Sequence, residues 1–385
     1  MNSSEILVVG AGVVGLSAAC ALAARGARVS VLERRTLLHE MSSSRGPSRA
    51  IRHEYGPMRL YSEMVARSLP LWAELARESG RALYTQTGVL TLGQDDDGHT
   101  LPGLEIAREM GLPARRLTSA QCRERFPQFS VDGFSAIAYD AAGGFLDASA
   151  CVEALVQRLR RLGGVIREQA AVERLDLGGA RPAALLAGGE RVAGDALVVA
   201  AGPWTASLIP GAAAPVRATR QQVCYLEGLD PALFAPDRFP VFLAEMRYYG
   251  FPIHGQGRFK MASHTVGGSV DPDDPGSVDD AETQGCLDFL RRVIPEAARG
   301  AVVAVDRCLY DMSPDEDLIL DRHPEHPSVV IAAGFSGHGF KFAILVGRLL
   351  AALALGDEPE LPLAMFRADR FGAGGEAGQR QPLRR

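Results

Sequence analysis

Features that would indicate several other classes of protein are scarce in this sequence. The six cysteines are scattered without a CxxC pair, which argues against a zinc site and a disulfide scaffold. With 41 basic and 46 acidic residues, the net charge is −5, so no basic field is present to hold nucleic acid or an anionic membrane. No apolar run is long enough to span a bilayer, and no basic segment precedes the first one as in a signal peptide. We therefore expect a cytoplasmic globular protein without a metal, nucleic-acid or membrane partner.

The first 33 residues carry the most informative pattern that is present. A short apolar run at 5–9 is followed by GAGVVG at 10–15, an alanine-rich stretch, a second apolar run at 28–32 and then Glu33. This order of strand, glycine turn, helix, strand and acid is typical of a dinucleotide-binding βαβ unit. A βαβ unit without a nucleotide is the alternative, and the motif alone does not separate FAD from NAD. Its place at the start of the chain favours FAD.

Each glycine of the turn has a physical role in such a unit. Gly10 permits the tight turn, Gly12 lets a pyrophosphate approach the backbone, and Gly15 lets the helix lie close to the sheet. The helix presents free N–H groups and the positive end of its dipole to the phosphates. The Glu33 carboxylate is placed to accept a hydrogen bond from a ribose hydroxyl. We include the neighbouring Val14 in the predicted cofactor site.

The periodicity of apolar residues predicts the larger elements. Helical spacing covers 59–80, 148–163 and 279–294, and 101–126 is interpreted as helices with a break at 111–113. A turn is predicted at 143–147, directly before the second of these helices. The serine-rich stretch 42–48 is predicted to be an ordered loop near the cofactor.

Pieces of a nucleotide-binding domain recur at the start, middle and end of the chain. A buried strand near 195–201 ends in a glycine turn, and a last apolar strand at 329–333 leads to a long apolar helix at 342–355. The predicted fold class is α/β, with an FAD-binding Rossmann-like (βαβ) domain interleaved with an antiparallel-sheet substrate domain of α+β type. The predicted FAD-binding domain comprises residues 1–85, 145–215 and 319–371, the substrate domain 86–144 and 216–318, and a flexible tail 372–385.

Six further motifs are specific in combination. They read SRAIRHEYG at 48–56, TGVL at 87–90, YYGFP at 248–252, RCLY at 307–310, DRHPEH at 321–326 and AGFSGHGFKF at 333–342. Through these motifs nearly the whole chain resembles the monomeric sarcosine oxidase family, within the D-amino-acid-oxidase-like flavoproteins. The resemblance implies a covalently bound FAD and the oxidation of an N-methyl or cyclic α-amino acid by O₂, giving an imine and H₂O₂.

The resemblance also implies roles for single residues. Cys308 occupies the position where the family joins a cysteine sulfur to the flavin, and this chemistry needs a thiolate. We therefore expect a polar or positive environment, to which Arg307 is a possible contributor, to lower the pKa of the thiol. Arg52 and Lys341 match residues that hold the substrate carboxylate, through a bidentate fork and a point charge. By residue type alone, the cysteine would be core filler and Arg52 a surface charge.

Four more positions match active-site residues of the family. Lys260 corresponds to the lysine near flavin N5, where a fixed positive charge stabilises the superoxide formed from O₂. A strand lysine that faces solvent is the alternative. Tyr249 and Tyr310 shape the pocket, and His264 influences the loss of the amine proton, although a histidine in a strand is often purely structural.

The remaining predicted contacts surround the flavin. Arg49 and the loop 42–48 contact its ring and phosphates, and Gly337 with its neighbours lines the pyrimidine edge. Besides the glycine turn and Glu33, the predicted FAD-binding set is Arg34, Ser43, Ser44, Arg49, Val172, Ala201, Gly202, Trp204, Cys308, Gly337, Gly339, Phe340 and Lys341. The predicted catalytic set is Lys260, His264, Arg52, Lys341, Tyr249, Tyr310 and Arg49.

Two segments depart from the family pattern. The loop 42–48 carries Pro47 and several serines, and 243–247 reads LAEMR. Glu245 and Arg247 are expected to border the substrate side chain and to admit a larger or polar substrate. The function predicted is oxidation of a sarcosine-like amino acid by a monomer that uses FAD and O₂. Three alternatives stay open: an imine-forming or desaturating flavoenzyme of a specialised biosynthetic pathway with a larger amino-acid-derived substrate, a dehydrogenase with another electron acceptor, and a flavin-binding module without activity.

Overall fold

The N-terminal glycine pattern folds as the βαβ unit that the sequence predicts. Strand β1 (Glu5–Val9) leads through Gly10 into helix α1 (Val13–Ala24), and β2 (Arg28–Leu32) lies parallel to β1. Gly10 has a φ of +101°, a conformation that strongly favours glycine. A side chain at Gly15 would overlap the carbonyl oxygen of Gly10, so glycine allows α1 to approach the strand closely.

The structure is a computed structural model that describes residues 4–211, 214–265, 267–274 and 276–372. The further strands in the first half of the chain are β3 (Arg49–Ile51), β4 (Tyr84–Gln86), β5 (Val89–Gly93), β6 (Ala114–Arg116), β7 (Ala136–Asp140), β8 (Gly144–Leu146), β9 (Val165–Arg167), β10 (Val172–Asp176), β11 (Ala183–Leu186), β12 (Arg191–Ala193) and β13 (Ala196–Val199). Those in the second half are β14 (Arg217–Glu227), β15 (Val241–Ala244), β16 (Tyr248–His254), β17 (Arg258–Ser263), β18 (Ala301–Met312), β19 (Ile319–Arg322) and β20 (Val329–Ala333).

The longer helices follow the predicted periodicity, and two one-turn helices that were not predicted occur as well. They are α2 (Arg59–Ser79), α3 (Thr100–Glu109), α4 (Ser119–Arg125), α5 (Ala148–Arg161), α6 (Thr205–Leu208), α7 (Pro231–Phe234), α8 (Asp280–Val293) and α9 (Ala343–Leu355). The apolar face of α1 packs against α9 and α5, so the helices from the start, middle and end of the chain share one core. The residues directly before α9 lie over the cavity described below.

Six strands form the sheet that contains the βαβ unit, in the order β19–β20–β13–β1–β2–β9. Neighbouring pairs are parallel except β19 and β20, which are antiparallel. Strand β20 is buried along its whole length, as expected of a central strand covered on both faces. The α/β fold class with a Rossmann-like sheet is confirmed, while the domain boundaries stay a prediction.

Eight strands form the second large sheet, in the order β18–β14–β17–β16–β15–β5–β7–β6. The antiparallel arrangement predicted for the substrate region holds for every pair except β5 and β15, which are parallel. These two strands lie far apart in the chain, and a long crossover rather than a hairpin joins them, so a parallel pairing is possible. An aromatic cluster that includes Phe129, Phe239, Phe242 and Phe289 packs on one face of this sheet.

Two short strands contradict the predicted local structure. Strand β8 occupies the region interpreted as a turn at 143–147, and β6 interrupts the region 101–126 interpreted as helices. Each is only three residues long, and its hydrogen bonds go to partners elsewhere in the chain. A local apolar pattern therefore carries no signal for them. Because β8 pairs with both β3 and β4, it fixes the backbone on which Arg49 lies.

The predicted flexible tail lies, apart from Gly372, outside the described residues. Among the helices that the structure does describe, none is long and apolar enough to cross a membrane. The same part of the chain contains no group of three or more His, Cys, Asp or Glu side chains arranged to hold a metal ion.

Candidate active site

A cavity of about 1160 Å³ is lined by residues of both large sheets. It extends from the glycine turn to Lys341, and nearly all the predicted site residues line it. Those that line it are Gly10, Gly12, Val14, Glu33, Arg34, Ser43, Ser44, Arg49, Arg52, Val172, Ala201, Gly202, Trp204, Tyr249, Lys260, His264, Cys308, Tyr310, Gly337, Gly339, Phe340 and Lys341. Gly15 is not among them, because it faces the strand and acts in helix packing.

The Glu33 carboxylate is fixed at the end of β2. Its Oε2 accepts the N–H of Ala11 at 2.9 Å, and its Oε1 accepts the N–H of Arg35 at 3.1 Å. Burial raises the pKa of Glu33, while these backbone donors act in the opposite direction. Each oxygen retains a second lone pair, so the carboxylate is oriented to accept from a hydroxyl in the cavity.

The N-terminus of α1 lies at the cavity beside Glu33. The N-cap Gly12 has no side chain, and the first turn of the helix contains no acidic residue. Ser44 reaches across from the loop 42–48 and accepts the N–H of Val13 at 3.0 Å. The positive end of the helix dipole therefore faces the cavity beside the bare backbone of Gly12, where phosphate is favoured. This arrangement fits the phosphates and a ribose of a dinucleotide such as FAD.

Trp204 closes the outer rim of this end of the cavity. The guanidinium of Arg34 lies 4.8 Å from the centre of the Trp204 ring. Both residues bind Asp273, with Arg34 at 3.1 Å and the indole Nε1 of Trp204 at 3.1 Å. Asp273 comes from a loop after β17 that the sequence analysis did not connect with the nucleotide-binding region.

Lys260 is buried, with 3% exposure, and does not face solvent. Its Nζ donates to the carbonyl oxygen of Ser48 at 2.8 Å and lies 4.6 Å from the centre of the Phe251 ring. Burial, and next the charge of Arg49, hold the pKa of Lys260 well below its usual value. The solvent-facing alternative is therefore wrong.

Cys308 is partly buried on the cavity wall. Burial raises the pKa of its thiol, although Arg49 and Lys260 act to lower it. The expected lowering of the pKa is therefore wrong, because desolvation outweighs the effect of two neighbouring cations. Arg307 does not help, since its side chain donates to the carbonyl of Gly276.

Two buried cations converge on one tyrosine at the other end of the cavity. The guanidinium of Arg52, a residue with 8% exposure, lies 4.5 Å from the centre of the Tyr55 ring. The Nζ of Lys341 donates to the Tyr55 hydroxyl at 2.6 Å and to the carbonyl of His338 at 2.9 Å. Burial, together with Arg52, holds the pKa of Lys341 well below its usual value. The interpretation of Arg52 as a surface charge is wrong.

The ion-pair partners of the two cations differ. Arg52 pairs with the carboxylate of Glu54 at 3.1 Å. In the part of the chain that the structure describes, no carboxylate pairs with Lys341. The cavity therefore holds an excess of positive charge at this end, which suits a ligand with a carboxylate.

Three ring side chains form another part of the cavity wall. The His264 ring centre lies 6.0 Å from that of Tyr249 and 5.6 Å from that of Tyr310. The two phenols are hydrogen-bonded to each other, and burial raises the pKa of Tyr249 to about 12. Gly337 allows this packing, because a side chain there would overlap the Tyr310 ring.

Comparisons with known proteins identify the cofactor that suits this cavity. A model of the family DAO, FAD dependent oxidoreductase, matches residues 5–353. The chain belongs to this family. It is 33% identical to a monomeric sarcosine oxidase from Bacillus sp. (strain B-0618) over 381 residues, which cover 95% of this chain and 96% of the relative. It is 32% identical to the peroxisomal sarcosine oxidase of Homo sapiens over 384 residues, with 97% of each chain covered.

The fold also has close counterparts among solved structures. The L-proline dehydrogenase from P. horikoshii superimposes with a TM-score of 0.87 at 22% identity, covering 98% of this chain and 100% of that one. The sequence relatives make this chain an FAD-dependent amine oxidase that acts on CH–NH donors. The predicted family, the cofactor FAD and the enzyme class are confirmed.

The segment 243–247 of this flavin amine oxidase differs from the prediction. Glu245 pairs with Arg292 outside the cavity, and Arg247 lies over the Tyr248 ring at 5.2 Å. Neither lines the cavity, whereas Met246 between them does. The backbone explains why Met246 lines the cavity and its charged neighbours do not. Glu245 and Met246 have φ values of 56° and 52°, so the alternation of side chains along a strand is broken at these residues. The expectation that the two charged residues border the substrate is wrong.

Sequence analysis missed several residues of the site. Glu54 and His99 lie next to Arg52, Ser48 holds Lys260, and Asp273 binds Trp204. Glu54 and Ser48 fall within the motif at 48–56. The only indication in the sequence was that the carboxylate of Glu54 lies two residues after the predicted substrate-binding Arg52. His99 and Asp273 lie in loops whose sequence gave no indication of the flavin amine oxidase site.

Proposed function

We propose that this enzyme oxidises the secondary amine of an N-methyl or cyclic α-amino acid, of the sarcosine type, to an imine and reduces O₂ to H₂O₂. The single observation that carries the proposal is the pair of buried cations, Arg52 and Lys341, joined by Tyr55 at the cavity. An amino acid provides the carboxylate that Lys341 lacks among the described residues. The names of the sarcosine oxidases among the relatives support the same substrate class.

The two cations hold the carboxylate in different ways. Arg52 presents a planar guanidinium, which lies over the Tyr55 ring and whose NH1 donates to Glu54. Lys341 adds a charge held by oxygen atoms of Tyr55 and His338. A carboxylate between them would provide the counter-ion that Lys341 lacks among the described residues, so binding would relieve the cost of burying this ammonium. The α-carbon and nitrogen of the substrate are thereby oriented toward the rest of the cavity.

The amine must lose its proton before its carbon is oxidised, because the nitrogen lone pair drives the reaction. Tyr249 and Tyr310 remain protonated at neutral pH, since burial raises the pKa of both phenols. These two phenols line the cavity and can form hydrogen bonds, but they do not act as bases. His264 packs against both rings and is the residue placed to influence where the proton goes.

The cofactor supplies the redox chemistry, and the chain supplies charge and position. Bound FAD would supply the two-electron redox chemistry, and the overall reaction is amine plus O₂ giving imine plus H₂O₂. Glu33 and the glycine turn would hold its nucleotide end. The Lys260 ammonium, fixed by Ser48, provides positive charge where oxygen gains electrons.

An amine panel with peroxide readout tests this function. We expect H₂O₂ from sarcosine, other N-methyl amino acids or cyclic amino acids, with kcat/KM about 10²-fold lower for the matching amines that lack the carboxylate. Equal rates with and without the carboxylate would contradict the proposed substrate class. Turnover with a dye in place of O₂, but without peroxide, would identify a dehydrogenase.

Cys308 is proposed as the covalent attachment point of FAD. The support is its place on the cavity wall, where Arg49 and Lys260 lower the pKa of the thiol against the effect of burial. After acid precipitation of the wild type, we expect the yellow colour in the pellet and on the peptide that contains Cys308. For Cys308→Ser the colour should move to the supernatant. Cys224→Ser is the control, because Cys224 is buried away from the cavity. Colour in the supernatant of the wild type would contradict covalent attachment.

We further propose a monomeric state and a cytoplasmic location. The monomer is supported by the name of the Bacillus relative. None of the six cysteines, all of which lie in the described residues, forms a disulfide, which agrees with a reducing compartment.

A further inference from the structure

A buried carboxylate lies directly behind Arg52 in this enzyme. Glu54 is 2% exposed, and its Oε2 lies 3.1 Å from NH1 of Arg52. Its Oε1 lies 3.1 Å from Nε2 of His99 and accepts the N–H of Gly56 at 2.9 Å. The hydroxyl of Thr91 donates to Oε2 at 3.4 Å. Both oxygens of this carboxylate are therefore bound, one toward Arg52 and the other away from it.

The surroundings are shaped to admit this group in its ionised form. Burial alone would raise the pKa of Glu54, but the charges of His99 and Arg52 lower it to about 2. A side chain at Gly103 would overlap the Glu54 carboxylate, and one at Gly56 would overlap the His99 ring. The chain thus provides two side-chain-free positions where the pair of residues needs space.

We propose that Glu54 and His99 are positioning residues that fix Arg52 for substrate binding. This inference rests on the proposed function, in which Arg52 binds the carboxylate of an amino acid. Glu54 holds one end of the guanidinium, the Tyr55 ring packs against it, and the remaining N–H groups are left for the substrate. His99 fixes the second oxygen of Glu54, so the Glu54 carboxylate cannot rotate away from Arg52.

A purely structural ion pair is the competing explanation, and the chain offers a matched example. The buried Asp315 pairs with the partly buried Arg370, with Nε and Oδ2 2.8 Å apart, and neither residue lines the cavity. Breaking either pair removes a buried partner and lowers stability. Only the pair at Arg52 should also change the binding of a carboxylate.

The test compares Glu54→Gln, His99→Asn and Asp315→Asn as purified holoenzymes. Acetate is the probe, and its dissociation constant is measured from the change in visible absorbance of the bound flavin, alongside Tm, KM and kcat. We expect Glu54→Gln to weaken acetate binding about 10-fold and to raise KM by a similar factor, with kcat changed less. His99→Asn should weaken binding about 3-fold, and Asp315→Asn should lower Tm without changing the binding of acetate.

The outcomes separate this inference from the proposed function. Acetate affinity in Glu54→Gln equal to or tighter than in the wild type overturns the positioning role, while the carboxylate site itself stands. Failure of the wild type to bind acetate, with amines still oxidised, overturns the carboxylate site and this inference together. If Glu54→Gln does not fold, His99→Asn decides: weaker acetate binding supports the role, and unchanged binding overturns it.

Discussion

Replacing Lys260 by methionine should slow the reduction of O₂ about 10²–10³-fold and leave oxidation of the amine nearly unchanged. Methionine has a similar length but no charge, and Lys260 is the buried ammonium held by Ser48 beside Phe251. The positive charge matters only when oxygen gains its first electron, because no other proposed step creates negative charge there. This is the largest effect we expect from a single substitution.

Two assays on the same protein separate these steps. Oxygen consumption reports the step that Lys260 is proposed to assist, and anaerobic reduction of a dye by the amine reports oxidation of the amine, in which no role is proposed for it. Lys260→Arg is the matched control, since it retains the charge and should preserve most of the oxygen reaction. Equal losses in both assays would mean that Lys260 supports the fold or the cofactor site and not oxygen reduction.

Lys341→Met should lower kcat/KM for an amino acid about 10²-fold through loss of carboxylate binding. The same substitution should not affect a substrate amine without a carboxylate, which provides an internal control. Tyr55 and the His338 carbonyl lose a donor, but no carboxylate of the described residues loses its partner. A comparable loss for both kinds of substrate would contradict a role in binding the carboxylate.

The stability of Lys341→Met should change in the opposite direction to its activity. The pKa of Lys341 in the folded protein lies well below the usual value of 10.5, because burial disfavours the charged form. Below pH 10.5 the unfolded chain takes up a proton more readily at this residue than the folded protein, so the lysine lowers stability there. Unfolding in denaturant should therefore show a more stable variant at neutral pH. The difference should shrink as the pH rises toward 10.5, and a variant less stable at neutral pH would contradict this account.

The glycine unit and the longer helices were predictable because their causes are local. The positive φ of Gly10, the contact between Gly15 and Gly10, and the apolar period of α2 and α8 all depend on nearby residues. The resemblance to a known family added residues such as Lys341 and Tyr310, which both line the cavity. Short strands such as β6 and β8 were missed, because distant partners stabilise them.

By itself, the sequence determined the dinucleotide-binding unit, the family and most of the residues around the cavity. Only the tertiary structure decided that Glu54 and His99 lie behind Arg52, and that Met246 lines the cavity in place of Glu245. It also decided that the pKa of the Cys308 thiol is raised, because burial outweighs the effect of two neighbouring cations. The physical reason is shared: burial and contacts between distant segments depend on how the whole chain packs, and no local pattern encodes them.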